Sequence, residues 1–279
     1  MLFTVALRGL ASAFLVWVLL TTSVPQLLAR QADNPVGTVA DYSLSSNVLH
    51  DAKVVYVIAH PDDEVMFFSP SVLELAKPQH HNHLSIVCFS DGDADGLGAI
   101  RRQELERSAK MLGVDDVAIL DFVDGMNVTW DADAVADALK PFVSRDSVII
   151  TFDDHGVSGH PNHISLYHGA VKLVKRTKNT LFKLKSLNFI DKYSFTLITS
   201  VELFVNYVTR LVHQVFGINI NISFYPSSSG EMRFYSDINA VAAAYGAMMY
   251  GHYSQMVWFR YGWLLFSRYL TYNHLIQVV

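Results

Sequence analysis

The run His60-Pro61-Asp62-Asp63-Glu64 places one imidazole and three carboxylates within a single turn of chain. A divalent ion such as zinc takes histidine nitrogens and carboxylate oxygens as ligands, and a hydrolytic site keeps one coordination position open for water. His60 and Asp63 stand three apart, close enough in a tight turn or a first helical turn to meet one ion. Asp62 then remains as a candidate base for the bound water. Further along, His160-Pro161-Asn162-His163 supplies two more imidazoles three apart. Two histidines with one carboxylate make a common hydrolytic zinc set. Asp-rich turns after strands also cap helices without doing chemistry. It is the pairing of the two runs that marks a candidate metal centre.

Both runs need elements that bring them together. Val54–Ala59 is a short, continuous apolar run, as expected for a strand covered on both faces, and Leu84–Phe89, Val117–Phe122 and Val148–Phe152 repeat the pattern. Helical patterns lie between them at Ile100–Leu112, which Gly113 is placed to end, at 132–143, and at Ile164–Val174. Strands alternating with helices predict an α/β fold, a Rossmann-like, doubly wound, mostly parallel sheet. Ligands in such sheets bind at the carboxyl ends of strands, near the point where strand order reverses. His60–Glu64 follows the first strand, Ser90–Gly98 the second and Asp153–His163 the fourth, so all three polar clusters fall at one edge.

These residues carry a resemblance. AHPDDE after an apolar strand, SDGDADGLG followed by RRQEL, TFDDHGVSGHPNH, and the late segment GHYSQMVWFR resemble the N-acetylglucosaminyl-phosphatidylinositol de-N-acetylases. That group belongs to the wider LmbE-like family of zinc-dependent sugar de-N-acetylases. The resemblance spans residues 54–269 and implies a Rossmann-like fold, a membrane anchor and the second step of GPI-anchor synthesis. It makes His60, Asp63 and His163 the ligands of one divalent metal ion, zinc, with Asp62 as general base. It implies that His160 stabilises the tetrahedral oxyanion or assists departure of the amine, and that Arg101 reaches the phosphate or sugar of a glycolipid substrate. His252 matches the late histidine of the family, and Glu64 fits the motif in a structural capacity.

The chain has 279 residues, 51% of them hydrophobic and 17% charged, enough for one large domain with a sizeable core. A net charge of -5 argues against a general nucleic-acid binder. The lone Cys88, set in LSIVCFS, reads as a buried, inert thiol and excludes a disulfide scaffold. From Gly9 to Ala29 no residue is charged, a run about as long as a bilayer-spanning helix requires. The competing reading is a cleaved secretory signal with small residues near Ala29 and Ala32, but the run is longer than a usual signal core. The expected organisation is an anchor over residues 1–30, a polar linker over 31–50 and a catalytic domain over 51–279. Positive-inside reasoning from Arg8, Arg30 and the amino terminus leans toward a lumenal domain, as do the sequons at Asn127 and Asn221. The resemblance and the single cysteine point instead to a single-pass protein with its domain on the cytosolic face of the endoplasmic reticulum, and that placement is the expectation.

Other signals carry less. Asp91–Gly96 begins like a calcium loop, but Arg102 stands where a bidentate Glu is required. The same acids would suit a metal-dependent glycosyltransferase, a reading that leaves HPDDE and HPNH unexplained. An inactive membrane-anchored adaptor would not need every expected ligand. A de-N-acetylase of another N-acetylglucosamine glycoside is the nearest alternative. His80, His81 and His83 lie in PQHHNH, read as a solvated loop. Val201–Phe216 carries a helical apolar stripe, read as a core face with a membrane surface as the alternative that a lipid substrate raises, and Trp258–Leu270 interleaves aromatics with Arg260 and Arg268 in a way that suits a membrane interface or a core.

Overall fold

The computed structural model describes residues 4–16, 49–218 and 230–278. Seven strands form one sheet in the order β3-β2-β1-β4-β5-β7-β6, with β1 at Lys53–Ile58, β2 at His83–Cys88, β3 at Asp116–Ile119, β4 at Ser147–Phe152, β5 at Thr180–Leu184, β6 at Glu231–Tyr235 and β7 at Tyr272–Val278. β1 to β5 run parallel, and β7 runs antiparallel to both β5 and β6. Val54 to Ile58 are all buried, which is why this strand reads as an unbroken apolar run rather than an alternating one. Each such side chain contributes roughly 1.5–3 kcal/mol when fully buried.

Helix α1 covers residues 4–16 and is exposed along its length. The others are α2 (Asp63–Met66), α3 (Ser69–Leu75), α4 (Gly98–Leu112), α5 (Ala132–Leu139), the single turn α6 (Gly156–Gly159), α7 (Pro161–Thr177), α8 (Phe189–Lys192), α9 (Leu197–Phe216), α10 (Ile238–Gly246) and α11 (Trp258–Phe266). α5 packs on α7 so closely that a Cβ on Gly169 would meet Val135 Cγ1 at 2.2 Å. α4 ends at Gly113, whose φ of 80° supplies the left-handed cap expected there. The order β3-β2-β1-β4-β5 reverses direction between β1 and β4, so the switch point lies where His60 and the HPNH segment emerge.

Several expectations change. β3 stops at Ile119, short of Phe122, and β5 with the antiparallel β6–β7 edge extends the sheet beyond the four anticipated strands. Of the apolar stripe on α9, Val201, Val208, Val215 and Phe216 are exposed, and Val205 and Val212 are partly buried. Among the described side chains of α9, Thr199 and Glu202 are buried and bond the fully buried Arg268 at 3.1 and 2.8 Å. Of PQHHNH, His81 and His83 are exposed, but His80 is buried with Nε2 3.0 Å from Glu74. Cys88 is fully buried, and burial pushes its thiol well up. Among the described residues no helix is long and apolar enough to cross a membrane. Most of the expected anchor and linker (residues 17–48) and the sequon at Asn221 lie outside the described residues.

Candidate active site

The HPDDE turn begins where β1 leaves the sheet. Asp63 Oδ2 accepts the backbone N–H groups of Ala59 and His60, each at 2.9 Å, which folds its carboxylate back over the strand end. Its other oxygen lies 3.3 Å from His163 Nε2. Burial opposes ionisation of Asp63, but the imidazoles of His163 and His60 outweigh it and hold the carboxyl well below its ordinary range. Asp62 has φ 119°, outside the ordinary basins for a residue with a Cβ. Such strain costs on the order of 1–3 kcal/mol and persists only where neighbours fix it. Here Glu64 Oε2 accepts the Asp62 N–H at 3.1 Å, and the Asp62 carbonyl accepts from Met66 at 2.8 Å.

The second run starts α7. His160 is the N-cap, with Nδ1 accepting the Asn162 N–H at 3.2 Å, and Pro161 takes the first helical position where no N–H is needed. His163 stacks flat on Phe152 with ring centroids 3.8 Å apart. Its Nδ1 lies 3.2 Å from the Gly156 carbonyl, which fixes the proton there and leaves a lone pair on Nε2. That Nε2 is buried and has no hydrogen-bond partner. One ligand atom from each of His60, Asp63 and His163 lies within 4.8 Å of the others. An orphaned imidazole lone pair facing a buried carboxylate and a second imidazole fits a divalent cation, which would take up all three.

Asp124, absent from the sequence-based expectations, completes the surroundings. Its carboxylate lies 2.9 Å from His60 Nε2, and His60, Asp124 and His160 form a second group with ligand atoms within 4.8 Å. Burial works against charging His60, but Asp124 and Asp63 prevail and push it up to about 10, so the pocket favours positive charge. His160 moves the other way, down to about 4, through burial and the charge on His163 and His60. A third group, Asp153, Asp154 and His155, lies nearby. Asp153 is occupied with loop building, accepting from His155, Gly156 and both donors of Ser186.

Arg101 stands on α4 beside these residues but spends its donors on the protein. It bonds the carbonyls of Gly92 at 2.7 Å and Pro61 at 3.0 Å, and Gln255 Oε1 at 2.6 Å. Gly92 has φ 71°, the left-handed region that favours glycine, and a Cβ there would meet this guanidinium at 2.5 Å. The guanidinium remains 3.9 Å from Asp62 and 4.0 Å from Asp124. Arg260 of α11 reaches the same carboxylate more closely, with Nη2 2.6 Å from Asp62 Oδ2. Arg260 closes the GHYSQMVWFR segment, but nothing in that segment's spacing indicates that its guanidinium turns toward Asp62.

The late GHYSQ segment docks on α4 through residues at helical spacing. Arg101 bonds Gln255 and Glu104 accepts from Ser254 N and Oγ at 2.6 and 2.7 Å, while Ser108 of the same helix donates to Glu64 of the HPDDE turn at 2.5 Å. His252 follows a π turn at Ala247–Gly251, and its Nδ1 lies 2.9 Å from Gln255. Its Nε2 meets Glu64 and not the His60–Asp63–His163 cluster. Burial opposes charging His252, but the Glu64 carboxylate overrides it and raises the imidazole.

The chain matches the family described as GlcNAc-PI de-N-acetylase (PIG-L) over residues 55–174. It is 36% identical over 246 residues to a probable N-acetylglucosaminyl-phosphatidylinositol de-N-acetylase of Schizosaccharomyces pombe, covering 85% of this chain and 92% of that one. It is 34% identical to the Bos taurus N-acetylglucosaminyl-phosphatidylinositol de-N-acetylase, covering 80% and 83%. Its fold is similar to that of the zinc-inhibited form of teicoplanin deacetylase Orf2, with TM-score 0.53, 12% identity, and 82% and 98% of the two chains covered. With a motif-bearing sheet edge and relatives matched over nearly their full length, the chain belongs to the N-acetylglucosaminyl-phosphatidylinositol de-N-acetylase family.

Proposed function

We propose that this protein hydrolyses the acetamide of N-acetylglucosaminyl-phosphatidylinositol, releasing acetate and glucosaminyl-phosphatidylinositol, the second step of GPI-anchor synthesis. The observation that carries the reading is the convergence of His60, Asp63 and the unpartnered His163 Nε2 at the switch point of the sheet. These three residues would hold one divalent ion, zinc by the chemistry of the donor set. When bound, it polarises the acetamide carbonyl and lowers the pKa of its water toward about 7.

The protein's own groups supply the rest. Asp62 takes the proton of the attacking water, its Oδ2 held by Arg260 at 2.6 Å and its backbone fixed in the strained turn. Because His160 Nδ1 accepts the Asn162 N–H, a neutral imidazole carries its proton on Nε2. It donates from there to the developing oxyanion or to the departing amine, an interaction worth about 100-fold or more when preorganised. Arg101 ties the Pro61 and Gly92 loops together, and its charge beside Asp62 and Asp124 provides for the anionic headgroup of the substrate.

Residues 1–30 serve as a membrane anchor and 31–50 as a linker in this reading, with residues 51–279 as the catalytic domain on the cytosolic face of the endoplasmic reticulum. Its support is the uncharged run Gly9–Ala29 and the lone cysteine. The deciding assay measures acetate release from N-acetylglucosaminyl-phosphatidylinositol by the purified full chain after chelation and metal add-back. Loss on chelation and recovery with a divalent ion is expected. Because the fold neighbour is named for a zinc-inhibited form, the add-back is titrated and includes other divalent ions. Preference for free N-acetylglucosamine would replace the glycolipid with another glycoside.

A further inference from the structure

Two surface elements that hold parts of the active site also carry large apolar side chains that the core does not use. On α11, Leu264 points inward at 2% exposure and Arg260 reaches Asp62, yet Trp258 is 85% exposed and Phe259 and Tyr261 are 53% and 50% exposed. On α8, Phe189 and Ile190 are 78% and 76% exposed. Lys192 of α8 bonds Ser158, two residues before His160, so this element sits against the HPNH loop. The two elements are joined, since the Phe195 N–H just beyond α8 donates to the carbonyl of Phe266 at the end of α11 at 3.0 Å.

Exposed apolar residues scattered singly need no explanation, whereas a contiguous set marks a contact surface. Here they occupy the two elements that brace Asp62 and the His160 loop. The composition identifies the partner. Tryptophan and tyrosine prefer the level where hydrocarbon meets headgroups, since each has an apolar body and a polar tip. Lys192, 5.6 Å from the Tyr193 ring centroid, adds a cation that complements the phosphates of anionic lipids.

We propose that α8 and α11 form a lipid-facing rim that seats the mouth of the active site on a bilayer. The glycolipid headgroup is then reached while its acyl chains stay in the membrane. The proposal rests on the reading of the substrate as a membrane lipid.

The test reconstitutes the full chain in vesicles of phosphatidylcholine and phosphatidylinositol, with and without brominated acyl chains. The emission lost in Trp258→Phe isolates the signal of Trp258. It should be quenched by the brominated lipid, and a Trp258 signal unaffected by bromine overturns the rim. In parallel, the triple variant Phe189→Ser, Ile190→Ser, Trp258→Ser should lower kcat/KM on the vesicle-borne glycolipid about tenfold, equivalent to ~1.4 kcal/mol. Hydrolysis of the deacylated, water-soluble analogue should not change. An equal fall on both substrates, or no fall on either, overturns the proposal. So does a lipid-free dimer abolished by the triple variant, which would assign the surface to a second copy of the chain. If the unaltered protein releases no acetate from either substrate, the de-N-acetylase reading fails, while the quenching result still decides the membrane seat.

Discussion

Nε2 of His252 lies 2.5 Å from Oε1 of Glu64, a contact between two fully buried side chains 188 positions apart. Glu64 Oε2 holds the strained Asp62 backbone, and His252 Nδ1 holds Gln255, which in turn holds Arg101. The pair therefore joins the HPDDE turn to the late segment of the chain. Removing one partner leaves a buried charge uncompensated, at a cost of about 3–5 kcal/mol. His252→Leu should lower the melting temperature by several degrees and reduce turnover. A variant as stable and active as the parent would show that the contact contributes nothing.

Asp62 and His163 occupy different positions in the cluster and should fail differently. Asp62→Asn keeps the three proposed ligands and removes the base, so bound metal should stay stoichiometric while turnover falls about 100-fold or more. His163→Ala removes the unpartnered Nε2 and should lose both metal and activity. Metal analysis of purified protein alongside acetate release distinguishes them, and full activity in either variant would refute these roles.

Asp124 orients His60 from 2.9 Å without belonging to either motif. Groups that hold a metal ligand in place typically carry 10–100-fold in metal affinity or activity when altered, so about that loss is expected for Asp124→Asn. Isothermal titration of the metal-free protein with zinc provides the check; unchanged affinity together with unchanged turnover would exclude the role.

Arg268 is fully buried against Glu202 at 2.8 Å, with its guanidinium 4.4 Å from the Tyr272 ring centroid. Arg268→Met should destabilise by about 3–5 kcal/mol because Glu202 is stranded, and adding Glu202→Met should restore much of the loss. Chemical denaturation of the four combinations measures the coupling. Additive losses would mean that the two side chains act independently.

Asn127 is exposed on the loop after β3 and would be available to the glycosylation machinery in the lumen. With the domain on the cytosolic face, protease added to intact microsomes should digest it, and Asn127 and Asn221 should carry no glycan. Protection together with an endoglycosidase-sensitive mass shift would reverse the placement and leave the chemistry unchanged.

What the sequence determined by itself is local. An unbroken apolar strand followed at once by HPDDE, and HPNH with Pro161 starting a helix, carry their geometry in adjacent residues, so the strand end, the cap and the ligand spacing are legible without a fold. Alternating strands and helices then set the parallel sheet and bring both runs to one edge. The remaining decisions were tertiary. Asp124 follows β3 in a loop with no spacing signal, and only the placing of β3 beside β2 and β2 beside β1 in the sheet brings it to His60. Arg260 lies in a helix whose composition describes its outer face, whereas its inward direction depends on how α11 packs beside the HPDDE turn. The stripe on α9 shows the same limit. Apolar periodicity reports that a helix has two faces, but it could not show that Thr199 and Glu202 would turn inward to meet the buried Arg268.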